Sequence, residues 1–237
     1  MISSTAADVS AALAAVADPG AVDARARFFG AQPGGYGEGD RFLGVSVPDQ
    51  RRVARRFAGL ELPEIHGLLT TGAHEERLTA LFILVLRFAK ADEAGRAEII
   101  ELYLANTAAV NNWDLVDSSA FQLLGEWLVD RDRAVLDELA GSRSLWERRI
   151  AIIATLAFIR RGDPGWTLRL ADKLVDDPHD LIHKAVGWML REVGIRDRDA
   201  ELRWLVRHQK TMPRTMLRYA IEKFEPELRR AFLTGTA

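Results

Sequence analysis

The sequence of 237 residues contains no cysteine. That excludes disulfides and thiolate chemistry and fits a reducing compartment, so a cytoplasmic location is expected. No apolar run approaches the length of a membrane span, and no membrane partner is expected. The stretch from Met1 to Gly20 is Ala-rich but carries Asp8 and Asp18 and lacks a basic start, so it does not read as a secretory signal. The five histidines have no metal-ligand spacing with carboxylates; no metal and no cofactor is expected. Between Gln32 and Asp40 four glycines surround Tyr36, but no Gly-Lys-Ser/Thr follows and no strand precedes. The segment therefore reads as a turn-rich loop anchored by Tyr36, not a phosphate cradle. Strand-like alternation is missing throughout.

Charge of one sign is also scarce: the formal net charge is −2. This argues against a generally sticky nucleic-acid binder. The distribution is uneven, however. Residues 1–140 hold 13 Lys+Arg against 21 Asp+Glu, net −8, and residues 141–237 hold 19 against 13, net +6. A polyanion would meet the C-terminal part, unless the asymmetry is only a solvated surface of uneven composition.

The chain does contain helical period nearly everywhere. Helices are expected from Met1 to Val16, from Val22 to Phe29, after Pro48, after Pro63 to Leu69, from His74 to Phe88 and from Asp92 to Leu104. Pro48 and Pro63 stand where proline favours a helix start. The helix after Pro48 bears a basic face of Arg51, Arg52, Arg55 and Arg56; such faces are more often solvated than bound to phosphate. His74 to Phe88 is amphipathic, with Leu78, Leu81, Phe82, Val85 and Leu86 as its core. After a central helix come Arg133–Ala140 stopped by Gly141, a helix opened by the capping box Ser144-Leu145-Trp146-Glu147, and Pro164–Val175. The next opens at Asp177-Pro178, runs through Val193 and is closed by Gly194. Arg198–His208, Pro213–Phe224 and a short tail from Pro226 to Phe232 follow, with 234–237 frayed.

Paired helices joined by short turns predict an all-α fold, an α-solenoid (superhelix) of HEAT-like helical-hairpin repeats forming a single domain over 1–237. Second helices align on a charged residue entering an apolar run: Arg77, Asp117, Arg149, Lys184 and Arg214, at steps of 40, 32, 35 and 30 residues. Stacked hairpins set such helices side by side, so these positions are expected to converge on one concave groove.

The central stretch is Asn111-Asn112-Trp113-Asp114-Leu115-Val116-Asp117. Trp113 and Asp117 are four apart and share a helix face, which continues as Ala120, Leu124 and Trp127. If the helix starts at Asp114, Asp117 is the third residue of a capping-box-like Asp-x-x-Asp and its role is structural. If it starts at Asn111 or Asn112, Asp117 lies too deep to cap. Further on, Lys184, Trp188 and Arg191 form a basic–aromatic–basic line, Arg149 flanks an apolar stripe beside Arg148, and Arg214 and Arg218 stack one turn apart. Trp127, Trp146, Trp166 and Trp204 read as packing residues, and Glu192 as a partner for a nearby cation.

In these blocks the chain resembles the DNA alkylation repair glycosylases of the AlkD type. The likeness covers most of the sequence. It runs from Phe28-Phe29 to Gly44 with Tyr36-Gly37 and Asp40, through Asn112 to Asp117 and Leu145 to Arg149, then Lys184 to Glu192 and Met212 to Ala220. The resemblance implies that Asp117 is catalytic and that Trp113 and Trp188 surround the damaged nucleotide. It implies phosphate contacts at Arg149 (with Arg148 the contender), Lys184, Arg191, Arg214 and Arg218. It further implies a monofunctional glycosylase acting on purines alkylated at N3 or N7 in duplex DNA, able to work without flipping the base, as a monomer with no obligate protein partner. Two other readings stay open: a non-catalytic HEAT-like DNA-structure-binding protein, and a protein–protein scaffold.

Overall fold

The structure is a computed structural model and describes residues 4–236, the side chain of Thr71 excepted. Among these residues there is no strand; the fold is all-α, an α-solenoid of packed helical pairs. It divides into two compact units, up to Ser119 and from Ala120 on.

The first unit comprises α1 (Ala6–Ala14), α2 (Val22–Phe28), α3 (Val47–Arg56), α4 (Leu62–Thr71), α5 (His74–Phe88), α6 (Glu93–Ala105) and α7 (Trp113–Asp117). Its starts are chemically marked. Thr5 and Asp8 cap α1 reciprocally, Ser46 accepts from the Asp49 N–H at the start of α3, and Asp92 from the Gly95 N–H at the start of α6. The expected N-terminal helix is thus shorter than Met1–Val16, whose first three residues lie outside the described ones. α5 is the central element and packs against α3, α4, α6 and α7. Its expected stripe holds for Leu78, Leu81 and Phe82, whereas Val85 and Leu86 are only half-buried. Ile83 and Leu84 are fully buried instead, so α5 is covered on more than one face. Each such side chain contributes about 1.5–3 kcal/mol of burial.

The second unit comprises α8 (Ala134–Ala140), α9 (Leu145–Ala154), α10 (Leu156–Ile159), α11 (Gly165–Leu174), α12 (Asp180–Arg196), α13 (Arg198–His208), α14 (Arg214–Ala220) and α15 (Pro226–Thr234). Ser144 accepts from the Glu147 N–H and opens α9. The frame is α12, which packs against α9, α11, α13 and α14. Its crossing with α14 is close because of Gly187: a Cβ there would lie 2.4 Å from the Met216 carbonyl oxygen and 2.6 Å from Tyr219 Cβ.

Gly194 does not close its helix. α12 runs on to Arg196, and Gly194 is there because the Glu201 carboxylate of α13 lies where its Cβ would be, 1.7 Å from Oε2. The glycine signal is one of close approach, not of a left-handed cap. The expected uninterrupted face from Trp113 to Trp127 is broken as well. α7 ends at Asp117, and a π turn occupies Phe121–Gly125. A π turn inserts a residue and rotates the next helical turn out of register, and such turns gather at functional sites. Of the four tryptophans expected to pack, only Trp204 is fully buried, its indole N–H donating to Asp172 at 2.6 Å. Trp127 and Trp166 are half-buried beneath the guanidinium groups of Arg131 and Arg169.

Candidate functional site

In the first unit the site is built on α7, a helix of five residues. A helix so short is unstable alone and takes its position from its neighbours. Asn112 is its N-cap. The side-chain oxygen accepts from the Trp113 N–H at 2.8 Å, and the amide donates to the Phe29 carbonyl at 3.0 Å. That start settles the register left open by the sequence. The third helical residue is Leu115, so Asp117 is not the acidic partner of a capping box. It is the last residue of α7 and is half-buried.

Trp113 is half-buried against two rings. Phe28 meets it edge-on at 5.5 Å and Phe29 lies tilted at 5.4 Å. Phe28 is 65% exposed, unusual for so large an apolar side chain. Together with Leu78, Val47, Arg25 and Ser118 these rings line an open, largely apolar cleft of about 630 Å³. Behind Asp117, the Tyr103 hydroxyl is pushed far up from its usual range. Burial is the main cause, a hydrogen bond with Ser119 at 3.2 Å opposes it, and the negative charge of Asp117 adds to it. Asp117 therefore lies within electrostatic reach of that hydroxyl.

Asp114, next to Trp113, belongs to a buried ionic chain that sequence reasoning missed. His74 at the start of α5 is 1% exposed. Its Nδ1 meets Asp40 at 2.8 Å and its Nε2 meets Asp114 at 2.9 Å. Arg77 donates to the same Asp40 oxygen at 2.6 Å. A neutral imidazole has one N–H; two carboxylates, one on each nitrogen, call for the imidazolium. Burial alone would lower the His74 pKa, but the hydrogen bonds and charges of Asp114 and Asp40 raise it to about 9. For Asp40 burial pushes up, and the His74 hydrogen bond and Arg77 charge outweigh it, leaving the carboxyl below its usual value. Beside this chain, Glu75 accepts the backbone N–H groups of Leu43, Gly44 and Val45. The glycine-rich loop is fastened at both ends. Tyr36 covers Gly30, where a Cβ would lie 2.7 Å from the ring, and its hydroxyl donates to the Phe28 carbonyl.

The second unit carries the cations. Lys184 pairs with Asp180 at 2.7 Å, and Arg191 pairs with Glu222. Trp188 is half-buried; its indole N–H donates to Glu192 at 3.2 Å, and Glu192 also accepts from Arg196. Arg214 is exposed and donates to the Leu233 carbonyl, and Arg218 is exposed. Arg149 is buried, 5% exposed, with its guanidinium donating to the Leu181 carbonyl at 2.5 Å. Arg148 pairs with Asp177 and donates to the Ser142 and Arg143 carbonyls. Both arginines thus brace the start of α9 against neighbouring backbone and acid. Because α12 and α14 cross closely at Gly187, the line Lys184, Trp188, Arg191 and the pair Arg214, Arg218 belong to adjoining helices. Among the described residues no cluster of His, Asp and Glu could hold a metal ion.

Paired aromatic rings and a half-buried carboxylate thus lie in the first unit, and cations on adjoining helices in the second. The model of the DNA alkylation repair enzyme family matches residues 9–224, and the chain belongs to that family. No curated protein matches the sequence. Among solved structures, a predicted DNA alkylation repair enzyme from Enterococcus faecalis shares the fold, with a TM-score of 0.68 at 14% identity, over 89% of this chain and 97% of that one. No helix among the described residues is long and apolar enough to cross a membrane.

Proposed function

We propose that the protein is a monofunctional DNA glycosylase that hydrolyses the N-glycosidic bond of cationic N3- or N7-alkylated purines in duplex DNA. A purine alkylated there is cationic and leaves readily. The remaining task is to stabilise the oxocarbenium-like sugar and direct a water to its anomeric carbon. A carboxylate at the sugar does both, as in glycoside hydrolysis. Asp117 takes that role. Trp113 and Trp188 present ring faces to the cationic base or sugar, each interaction contributing about 0.5–2 kcal/mol. Arg214 and Arg218, with Lys184 and Arg191 released from their acidic partners, supply the phosphate contacts; Arg149 and Arg148 join them only by leaving the carbonyls and acid they hold. Breaking the bond yields free base and an abasic site; the proposed set contains no lysine nucleophile at the sugar, so no strand cleavage accompanies it.

One observation supports this reading most. Asn112 caps α7, which leaves Asp117 outside the cap, one turn from a Trp at the wall of an open cleft. The test is product analysis with methylated duplex DNA and no added metal. Wild type is expected to release 3-methyladenine or 7-methylguanine, and Asp117→Asn to lose about two to three orders of magnitude in rate. Full activity in that variant would refute the assignment. Duplex binding without base release by wild type would instead favour a HEAT-like DNA-structure-binding protein.

A further inference from the structure

We infer that Asp40, His74 and Asp114 form a buried ionic clamp that sets the position of Trp113, which makes His74 a positioning residue for base excision. The inference rests on the glycosylase reading for its functional part and on geometry for the rest.

α7 has few fixings of its own. Its cap residue Asn112 holds the Phe29 carbonyl, and its second residue, Asp114, holds His74 Nε2. Both lie in the turn that carries Trp113. On the other side, His74 Nδ1 holds Asp40, at the end of the glycine-rich loop, and the His74 backbone N–H donates to the Arg41 carbonyl at 2.8 Å. The same imidazole lies against Phe29 at 4.6 Å and Phe42 at 4.7 Å between centroids. Phe29 is in turn one of the two rings that pack on Trp113. Thus His74 reaches Trp113 by two routes: through Asp114 along α7, and through Phe29 across the aromatic cluster.

The charges balance locally. Asp40 and Asp114 face His74 and Arg77, and every member is at most 12% exposed at its side chain. A buried ion network of this kind contributes little to net stability compared with apolar packing, but losing one member leaves the others uncompensated and frees the elements it joined. Here the freed element would be the start of α7. The bridge joins the end of one loop to Asp114, the residue next to a candidate substrate-contacting Trp, a placement that packing alone would not require.

The test uses the full chain with 5-fluorotryptophan incorporated and the Trp113 resonance assigned by Trp113→Phe. For His74→Gln, which keeps one donor but no charge, the Trp113 resonance is expected to shift or broaden while the other five stay in place. Single-turnover base release is expected to fall at least about tenfold, with duplex affinity within about threefold of wild type, because the loss is one of alignment and not of phosphate contacts. Asp40→Asn, which leaves the His74–Asp114 bond, is expected to give a smaller change of the same kind and serves if His74→Gln does not fold. An unmoved Trp113 resonance, or a release rate per folded molecule within twofold of wild type, overturns the clamp. If wild-type protein releases no base, the glycosylase reading falls and the resonance alone decides whether the clamp positions Trp113.

Discussion

The stability of the protein should fall with rising pH in a window set by His74. The imidazolium is enclosed by Asp114 and Asp40 at its two nitrogens, Arg77 on the far side of Asp40, and the neighbouring Glu75, whose carboxylate is occupied by backbone N–H groups and lies 4.0 Å from Arg25. The folded-state pKa, about 9, lies above the ordinary value of 6.5. A group raised in the folded state contributes stability that is fully present below its unfolded pKa and disappears as pH rises through its folded one. The difference corresponds to about 3 kcal/mol. For a chain of this size that equals a fall of roughly 6–12 °C in Tm. Glu201 complicates the raw curve. Burial raises its pKa to about 8, with Arg198 opposing, so stability is also lost from 4.5 up to about 8 on its account. The clean measurement is therefore a difference: denaturant unfolding of Glu201→Gln and of Glu201→Gln with His74→Gln, between about pH 6 and about pH 10. The gap between the two should shrink by about 3 kcal/mol across that range. A constant gap would show that His74 is not the ionised bridge its two carboxylate contacts require.

Other outcomes rest on the same geometry. Glu201 is 1% exposed and its Oε1 has no hydrogen-bond partner among the described residues, so Glu201→Gln should leave stability unchanged near pH 4.5 and raise it at alkaline pH; parallel unfolding curves for variant and wild type would contradict a buried carboxyl that resists ionisation. Gly187→Ala should cost about 1–3 kcal/mol in urea unfolding, because its Cβ meets backbone oxygen and α12 must part from α14; an unchanged midpoint would show that the crossing yields freely. Replacing both Arg214 and Arg218 by Gln should reduce the steepness of the log affinity against log salt plot by about two, roughly one per phosphate contact; an unchanged slope would remove α14 from the DNA contacts.

Elements with strong periodicity and marked ends are legible in the sequence. His74–Phe88 and Arg198–His208 carry caps or breakers at their bounds and fall where expected. Gly194 misleads for a definite reason. A glycine near a helix end usually marks a left-handed cap, and the sequence does not reveal that a carboxylate from the next helix needs the space of its Cβ. The π turn at Phe121–Gly125 is invisible in the sequence because Phe121, Gln122, Leu123 and Leu124 are common in ordinary helices and a lone glycine does not specify a π turn; the i to i+5 pattern is a tertiary outcome. The ionic chain is hidden because its members are 34 and 40 residues apart. In the sequence Asp40 stands out only within a block of family resemblance, and histidine spacing speaks only to metals. The available signal is weak: a histidine at the first position of a helix buried on several sides needs a partner, and two acids are on offer.

The central heptad divides its labour residue by residue. Asn112 caps the helix and ties it to Phe29, Asp114 ties it to His74, and Leu115 and Val116 are fully buried. Four of the seven thus fix a five-residue helix that could not fix itself. That leaves, within the helix, Trp113 and Asp117, its two half-buried residues at i and i+4, as the positions the rest hold in place. Restraints concentrated around two side chains, with an ionised pair kept in the interior to provide them, are costly unless those side chains must be aligned with something. On the glycosylase function proposed above, the object of that alignment is a sugar and its damaged base. A protein–protein scaffold would have no need to hold one Trp and one Asp so firmly, and an apolar residue at position 74 would serve it better.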